Sequence, residues 1–238
     1  IEINNSAVDQ SLEIVRRRID DVGTKEPTIV RRGNDRILIE LPGLDDPARI
    51  KKLLGKTAKL TFRLVSEADS EFSSELVYFE NSDEKLNISK RIVISGDNLI
   101  NATPKLDSQS NQAIVSFTFD RVGAKKFGRA TTDYVGKQLA IVLDNKIISA
   151  PQIREPILGG NGQITGNFTF QSATDLALLL RSGALPAPLN IIEERTVGPD
   201  LGEDSIKAGA FSLLIGFLLV IAYMIYKYRF IGIIADLA

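Results

Sequence analysis

The sequence contains no cysteine and no histidine among its 238 residues. The absence of cysteine excludes disulfides and thiol nucleophiles, and the absence of histidine excludes His-based triads and nearly all protein zinc sites. It also removes the side chain that usually titrates near neutral pH. Any catalysis would therefore depend on carboxylate, lysine, tyrosine or serine side chains.

An excess of charge of one sign is also absent, since 29 Lys and Arg residues face 30 Asp and Glu residues. Duplex affinity comes mainly from clustered basic side chains that neutralise phosphates, so we expect no nucleic-acid partner. Two short basic clusters exist, at Arg16–Arg18 and Arg31–Arg32. We interpret both clusters as solvated faces.

One long apolar run covers residues 208–226 and contains no charged residue. Its length is close to the roughly 20 residues that cross a hydrocarbon core as a helix, and we predict a transmembrane helix. The alternative is a buried core helix. Lys227 and Arg229 follow in a short connector, and positive residues in short loops stay cytoplasmic. Residues 1–202 are therefore expected on the outer side, in the periplasm if the cell has two membranes.

The segment 203–229 is accordingly assigned to the transmembrane helix and its cytoplasmic connector. Apolar sequence resumes at 230–238, which we interpret as the start of a second, truncated transmembrane helix that contains Asp236. The chain begins at Ile1 without a methionine or a signal-peptide pattern, and it ends inside an apolar stretch. We expect a piece of a longer protein.

Local signals in the first 65 residues predict alternating helices and strands. Gly23 is a plausible end for the first helix, and Asp46, Pro47 and Gly55 have the composition of a capped second helix. The predicted elements are a helix at 8–22, strands at 28–31 and 36–41, a helix at 47–55 and a strand at 59–65. This order suggests an α+β fold of ferredoxin-like type, with residues 1–3 as its missing first strand.

The remaining sequence predicts a second α+β region after an irregular segment. Residues 66–90 are rich in Ser and Glu with weak periodicity and are interpreted as a loop or a loosely built excursion. The predicted elements are a strand ending at Asp120, a helix at 120–135, hairpin strands at 139–143 and 146–149 around Asp144–Asn145, a strand at 163–170, a helix at 176–180 and a strand at 189–197. Val122, Phe127, Ala130 and Tyr134 are predicted to form the apolar face of the 120–135 helix.

No motif indicates an enzyme. The glycine-rich residues 159–162 lack the Lys-Ser/Thr of a phosphate loop and favour a turn, and GAKKFG at 123–128 favours helix packing. The acidic residues Glu193 and Glu194 are adjacent on a predicted strand, so their side chains would point to opposite faces. We predict no catalytic residue, no cofactor and no metal ligand.

Four blocks of the sequence, at 9–27, 36–65, 117–168 and 176–206, resemble the SecD/SecF family of export proteins in the resistance–nodulation–division superfamily. The last block, LALLLRSGALPAPLNIIEERTVGPDLGEDSI, is long and specific. The blocks are distributed along most of the chain, and residues 66–90 are where we expect family members to differ. The resemblance identifies the chain with the first periplasmic domain of such a protein and the membrane helix that follows it.

The resemblance implies a ferredoxin-like base at 1–65 and 164–202 with an inserted α+β head at 66–163. It implies a multi-pass protein of the bacterial inner (plasma) membrane that acts as an accessory subunit of Sec protein export. The implied partners are SecF, the SecYEG translocon, the unfolded secretory polypeptide and the lipid bilayer. The proton motive force, or an ion gradient, would drive the parent complex, and the family's proton-pathway Asp would lie beyond residue 238.

In this interpretation the head moves on the base and binds unfolded polypeptide through weak, sequence-tolerant contacts. The candidate polypeptide-contact residues are Phe117, Phe119, Ile147, Ile148, Ile153, Ile157 and Leu158, although most of them could equally form the core of the head. The candidate hinge residues are Val65, Ser66, Gly162 and Gly166. Three other functions remain open: a membrane-anchored enzyme of the envelope, an efflux-pump porter domain of the same superfamily, and a structural scaffold.

Overall fold

The computed structural model describes residues 2–66, 73–80, 82–108, 110–195 and 200–228. Residues 1–190 and 191–238 form two compact units, and each is described by itself. The predicted second membrane segment at 230–238, with Asp236, lies outside the described residues.

The described residues of the first unit form four α-helices, whose ends follow local sequence signals. Their bounds are Glu2–Val22 (α1), Pro47–Gly55 (α2), Arg121–Asp133 (α3) and Phe170–Ser182 (α4). The side chains of Asp46, Asp120 and Thr169 accept hydrogen bonds from backbone N–H groups three residues later, at 3.0, 2.6 and 3.1 Å. Gly23 and Gly183 follow α1 and α4 with φ of +83° and +89°, a conformation that favours glycine.

Helix α1 begins earlier than the sequence predicted, so the prediction of a strand at residues 1–3 is wrong for the described residues 2 and 3. Arg31 donates to Asp9 Oδ1 at 2.8 Å and also bonds the side chain of Asn5. Asn5 and Asp9 lie one helical turn apart, so extending the helix aligns both acceptors with one guanidinium.

The first two strands form an antiparallel pair, which confirms the predicted strands at 28–31 and 36–41. Thr28–Arg32 (β1) and Arg36–Glu40 (β2) pair with Val30 opposite Leu38. Gly33 occupies the connecting turn with φ of +66°. Among the described residues no third strand joins this pair, so the four-stranded sheet of a ferredoxin-like fold is not formed there.

A five-stranded sheet follows, and the strand at its centre comes from the N-terminal part of the chain. Its strands in chain order are Leu60–Val65 (β3), Ser74–Tyr78 (β4), Lys85–Ser95 (β5), Leu139–Leu143 (β8) and Lys146–Ser149 (β9). The spatial order is β4-β5-β3-β8-β9, with every pair antiparallel. Asp144 and Asn145 connect β8 to β9 with φ of +48° and +63°, which confirms the predicted tight turn.

The prediction of a loop at 66–90 is wrong, because β4 and most of β5 form a hairpin there. The alternation is weak because β4 buries only Val77 among its large apolar residues, while Leu76 and Tyr78 are exposed. In addition, β5 pairs with β3 through two register irregularities. The two edges of the sheet approach each other where Glu80 N donates to Ile147 O at 2.9 Å.

A three-stranded antiparallel sheet completes the first unit. Its order is β10-β7-β6, formed by Asn161–Phe168 (β10), Ala113–Phe119 (β7) and Leu99–Leu106 (β6). The predicted strand ending at Asp120 is confirmed as β7, whereas β6 was not separately predicted. Helix α4 packs on β6 and β7 and is longer than the predicted 176–180.

Two further predictions need correction. The predicted strand at 189–197 is absent from its described part, residues 189–195, where Ile191 and Ile192 are 54% and 75% exposed. The predicted apolar face of α3 contains Phe127 and Ala130, but Val122 is 56% exposed and Tyr134 lies beyond the end of the helix. The buried face is completed instead by two glycines and a threonine, because neighbouring segments approach α3 too closely for larger side chains.

The apolar interior of the first unit contains three clusters. The largest lies between the two sheets and includes Phe62 and Ile94 from one sheet and Val115 and Ile164 from the other. A second cluster joins α1 to β1 and to Leu185, and a third fills the curved side of the five-stranded sheet.

The second unit contains one helix, Asp200–Tyr228 (α5), which covers the predicted transmembrane segment. Its part from Ile206 to Met224 is long and apolar enough to cross a membrane. Large apolar side chains such as Phe211, Leu213 and Leu219 are each more than 60% exposed. A helix that is apolar on all sides and exposed on all sides is typical of a lipid environment.

Candidate functional site

The seven predicted polypeptide-contact residues do not share one environment. Four of them are at most 6% exposed and belong to the core: Phe117, Phe119, Ile147 and Ile153. Ile148 and Ile157 are half-buried. Leu158 alone is fully at the surface, with 74% of its area exposed.

The buried phenylalanines belong to a four-ring cluster. Phe62, Phe117, Phe119 and Phe127 have ring centroids between 5.1 and 6.2 Å apart in tilted or edge-to-face arrangements. Such geometry stabilises aromatic pairs beyond simple area burial. The cluster therefore holds β3, β7 and α3 together and is not an open binding groove.

The loop that carries Leu158 is held tightly against α3. A Cβ added at Gly160 would lie 2.5 Å from the Cβ of Ala124, and one at Gly128 would lie 3.3 Å from Leu158 Cδ2. Ile157 N also donates to Thr131 Oγ1 at 2.9 Å. Leu158 is thus presented to solvent from a fixed backbone. Glycines of the 123–128 motif serve packing, as predicted, whereas residues 159–162, predicted as a turn, comprise the end of a turn and the start of β10.

The predicted hinge residues lie in or beside paired strands. Val65 N donates to Gln138 O at 3.0 Å, and Ser66 N donates to Asn87 O at 2.8 Å. Gly162 pairs with Phe117, and a Cβ at this glycine would lie 2.3 Å from Phe117 Cζ. Gly166 lies in the irregular part of β10, between the pairs made by Ile164 and Phe168.

Arg18 is the main site residue that sequence reasoning missed, because it was assigned to a solvated basic face. It is 1% exposed, whereas its neighbours Arg16 and Arg17 are exposed. Its guanidinium donates to one hydroxyl, Ser182 Oγ at 3.3 Å, and to five backbone carbonyls. The carbonyls are those of Leu53 (2.9 Å), Leu54 (3.4 Å), Lys56 (2.5 Å), Thr57 (3.4 Å) and Gly183 (3.2 Å).

The five carbonyls lie at or just beyond the C-terminal ends of α2 and α4. Helix C-termini carry partial negative charge and unpaired carbonyls, so a cation there is stabilising. Burial lowers the pKa of the Arg18 guanidinium to about 10, and the negative charge of Asp144 opposes the decrease. Arg18 therefore stays protonated at neutral pH and joins α1 to both helix ends.

Asp144 binds the same stretch of chain from the other side. Its carboxylate accepts from Ala58 N at 3.0 Å and Lys59 N at 2.9 Å, and from the hydroxyl of Thr57. We call residues 56–59 the connector because they join α2 to β3. Its first two carbonyls, of Lys56 and Thr57, accept from Arg18, and its last two amides donate to Asp144. Ala58 has φ of +60°, which requires such support in a residue other than glycine.

Ion pairs reinforce the same region. Arg49 bonds Asp175 at 2.6 Å, Arg181 bonds Asp21 at 2.9 Å, and Lys56 bonds Glu80 at 2.6 Å. The first two pairs attach α4 to α2 and α1, and the third attaches the connector to the end of β4. A shallow cleft of about 300 Å³ lies beside the connector, lined in part by Gln10, Lys59 and Asp97.

Within the described residues, no group of three or more Asp and Glu side chains converges on a possible metal position. The carboxylates named above are occupied by ion pairs, caps or the connector. The arrangement can hold segments together and present an apolar side chain, and it offers no constellation for bond chemistry.

Two family models match the first unit. The model described as the N-terminal part of the P1 domain of protein translocase subunit SecDF matches residues 8–67. The model described as the SecDF P1 head subdomain matches residues 74–187, and so includes β10 and α4. The predicted domain boundaries at 65/66 and 163/164 stay a prediction.

Named relatives extend the similarity to α5. The chain is 53% identical to the protein translocase subunit SecD of Acetobacter pasteurianus over 98% of its length. It is 49% identical to that of Rickettsia conorii over 100% of its length. The chain spans about half of these relatives, 46% and 48% of their lengths.

Solved structures agree with these relatives. A structure described as a membrane component SecDF that enhances protein export is 34% identical, with a TM-score of 0.68 over 81% of this chain and 94% of that one. SecDF in a super-membrane-facing form is 33% identical, with a TM-score of 0.70 over 98% of this chain and 34% of that one.

Proposed function

The chain belongs to the SecD/SecDF family of protein translocase subunits, and we propose from this premise that it acts in the bacterial Sec protein-export machinery as an accessory subunit. The observation that carries the proposal is the identity of 49–53% over essentially the whole chain, including α5. In this role the first unit lies on the periplasmic side, and α5 crosses the inner membrane.

The orientation follows from charge. Lys227 and Arg229 follow the apolar segment, while Glu203 and Asp204 precede it. Basic residues in short connectors stay on the cytoplasmic side, so residues 1–202 face outward. The rest of a multi-pass protein, together with SecF, would couple the proton motive force to late steps of export at the SecYEG translocon.

The first unit would bind the unfolded secretory polypeptide. In the described conformation this role falls to Leu158, with Ile148 and Ile157 beside the surface, because the other predicted contacts are buried. A single fixed apolar side chain among polar neighbours gives weak contacts that tolerate many sequences, as handling of an exported chain requires.

The finer architecture is also part of the proposal. We propose that residues 1–65 and 164–202 form a ferredoxin-like base in the parent protein, where the β1–β2 pair would gain the strands that no described residue supplies. The helix-strand-strand-helix order of α1, β1, β2 and α2 supports this proposal. The head at 66–163 would move through Val65, Ser66, Gly162 and Gly166. A swing there must break strand bonds made by Val65 and Ser66, and we expect their amides to exchange faster than that of Thr61 if the hinge is correct.

Site-directed cross-linking to an arrested secretory chain tests the function. A photoreactive residue is placed at Leu158 in the full-length membrane protein, with Arg17, exposed on α1, as the matched control position. We expect the arrested chain to cross-link from position 158 and not from position 17. Cross-links to other membrane subunits alone, with none to the secretory chain, would favour a scaffold.

A further inference from the structure

The exposed side of α3 carries a row of cations. Arg121, Lys125 and Arg129 are all exposed and follow one another at intervals of four residues. Such spacing places them on one face of the helix. Arg129 has a carboxylate neighbour in Asp133 at 3.7 Å, and no ion pair forms at Arg121 or Lys125 within the described part of the chain. We call these three residues the cationic row.

Leu158 lies directly beside this row. It contacts Gly128, which follows Lys125 by three residues and therefore lies next to it on the helix surface. The loop is fixed there by the close approach of Gly160 to Ala124 and by the bond from Ile157 N to Thr131 Oγ1. An exposed leucine is therefore fixed beside exposed cations that form no ion pair among the described residues.

The other charged groups near this surface leave its positive character intact. Lys126 adds a further cation on the helix, and Arg154 and Glu155 in the loop offset each other in formal charge. Asp120 caps the helix and accepts from Gly123 N at 2.6 Å and from the Asn98 side chain. The surface thus needs an acidic partner for charge complementarity.

The repeat of the row indicates the shape of that partner. Residues four apart on a helix are separated by about 6 Å along its axis, since each residue rises about 1.5 Å. Side chains on one face of an extended peptide recur about every 6.8 Å, since each residue advances about 3.4 Å. An extended peptide along α3 could therefore present one acidic side chain to each member of the row.

We propose that the cationic row and Leu158 form a binding surface for an extended polypeptide segment with acidic residues at alternate positions and an apolar residue at one end. This inference rests on the proposed function and specifies the class of segment that binds best. A membrane surface fits less well, because Val122 and Leu158 lie among cationic side chains and do not form a separate apolar face.

The test uses the full-length protein in nanodiscs of neutral lipid and a fluorescent peptide with the sequence Leu-Thr-Glu-Thr-Glu-Thr-Glu. The change is Lys125→Glu, and the matched control is Lys52→Glu, a lysine exposed on α2. Fluorescence anisotropy should show about tenfold weaker binding for Lys125→Glu and less than a twofold change for Lys52→Glu. Leu158→Ser should weaken binding without changing its salt dependence.

Equal effects of Lys125→Glu and Lys52→Glu would overturn the proposal, as would equal binding of a peptide with lysine in place of glutamate. If Lys125→Glu weakens only the binding of the protein to vesicles that contain anionic lipid, and not the binding of the peptide, the surface would be assigned to the membrane instead. If position 158 still cross-links to an arrested chain while the protein shows no preference for acidic peptides, the proposed acidic preference is wrong and the export function stands.

Discussion

At the scale of single residues, Arg18 has the largest predicted effect on stability. Arg18→Lys keeps the charge but offers three donors in place of a planar fork, so several of the carbonyls at the ends of α2 and α4 lose their partner. Buried acceptors without partners are costly, and we expect the free energy of unfolding to fall by about 2–4 kcal/mol.

The neighbouring residue supplies the control for this prediction. Arg17→Lys changes an exposed side chain that forms a surface ion pair with Glu13 at 3.4 Å, and it should cost less than about 0.5 kcal/mol. Urea unfolding followed by circular dichroism measures both variants. Equal midpoints would show that the bonds of Arg18 contribute nothing specific.

Gly162 is the second residue for which a small change should have a large effect. A Cβ there would lie 2.3 Å from Phe117 Cζ, and that ring is packed between three others. Gly162→Ala should therefore destabilise the unit by about 1–3 kcal/mol. Gly159→Ala, where the nearest atom lies at 3.9 Å, is the control, and a similar loss in both variants would show that the contact with Phe117 does not determine the cost.

At the scale of elements, the start of α3 should depend on pH. The hydrogen bond from Gly123 N, followed by that from the Asn98 side chain, lowers the pKa of Asp120 below its ordinary value. A carboxyl with a lowered folded pKa stabilises the folded state above its unfolded pKa of about 3.9, and this contribution is lost as the pH falls through the folded value.

Comparison with Asp120→Asn isolates this contribution, because asparagine also caps helices but carries no charge. The wild-type chain should be more stable than the variant at pH 7, and the difference should vanish as the pH is lowered below about 4. Thermal unfolding across this range is the measurement. A difference that stays constant with pH would show that the charge of Asp120 does not matter.

Elements whose signals are local could be read from the sequence. The caps at Asp46 and Asp120 and the turn at Asp144–Asn145 depend on residues within a few positions of each other, and all were predicted. The hairpin β4–β5 was missed, since its burial depends on strands distant in the chain. The burial of Arg18 was also unreadable, because its acceptors lie as far as 165 residues away.

Likewise, only part of the candidate site could be predicted from the sequence. Apolar character selected seven possible contact residues, but a strand residue such as Phe117 and a loop residue such as Leu158 are equally apolar in sequence. Only the packing of α3 against the loop determines which of them reaches the surface. The role of Asp144 as an acceptor for the connector likewise needed the fold, because Thr57 is 87 residues away.

At the scale of the whole molecule, the proposed orientation can be tested with protease. In intact spheroplasts of cells that make the full-length protein, protease added outside should cut within residues 1–202. The physical reason is the positive charge of Lys227 and Arg229, which would keep this end of the apolar segment on the cytoplasmic side. If residues 1–202 are protected from outside but cleaved at the exposed cytoplasmic side of inverted vesicles, the proposed topology is wrong.

The position of β3 has a consequence for how the molecule is made. Residues 60–65 pair with residues 139–143 on one side, so the central strand of the sheet has no second neighbour until that later segment arrives. A chain that emerges on the far side of a bilayer from its N-terminus onward would hold this apolar strand half-paired in the interval. Folding should therefore be slow and sensitive to chaperones that bind the unfolded chain. Truncated chains that lack residues 139–143 should be degraded, because the partner of an early strand is synthesised late.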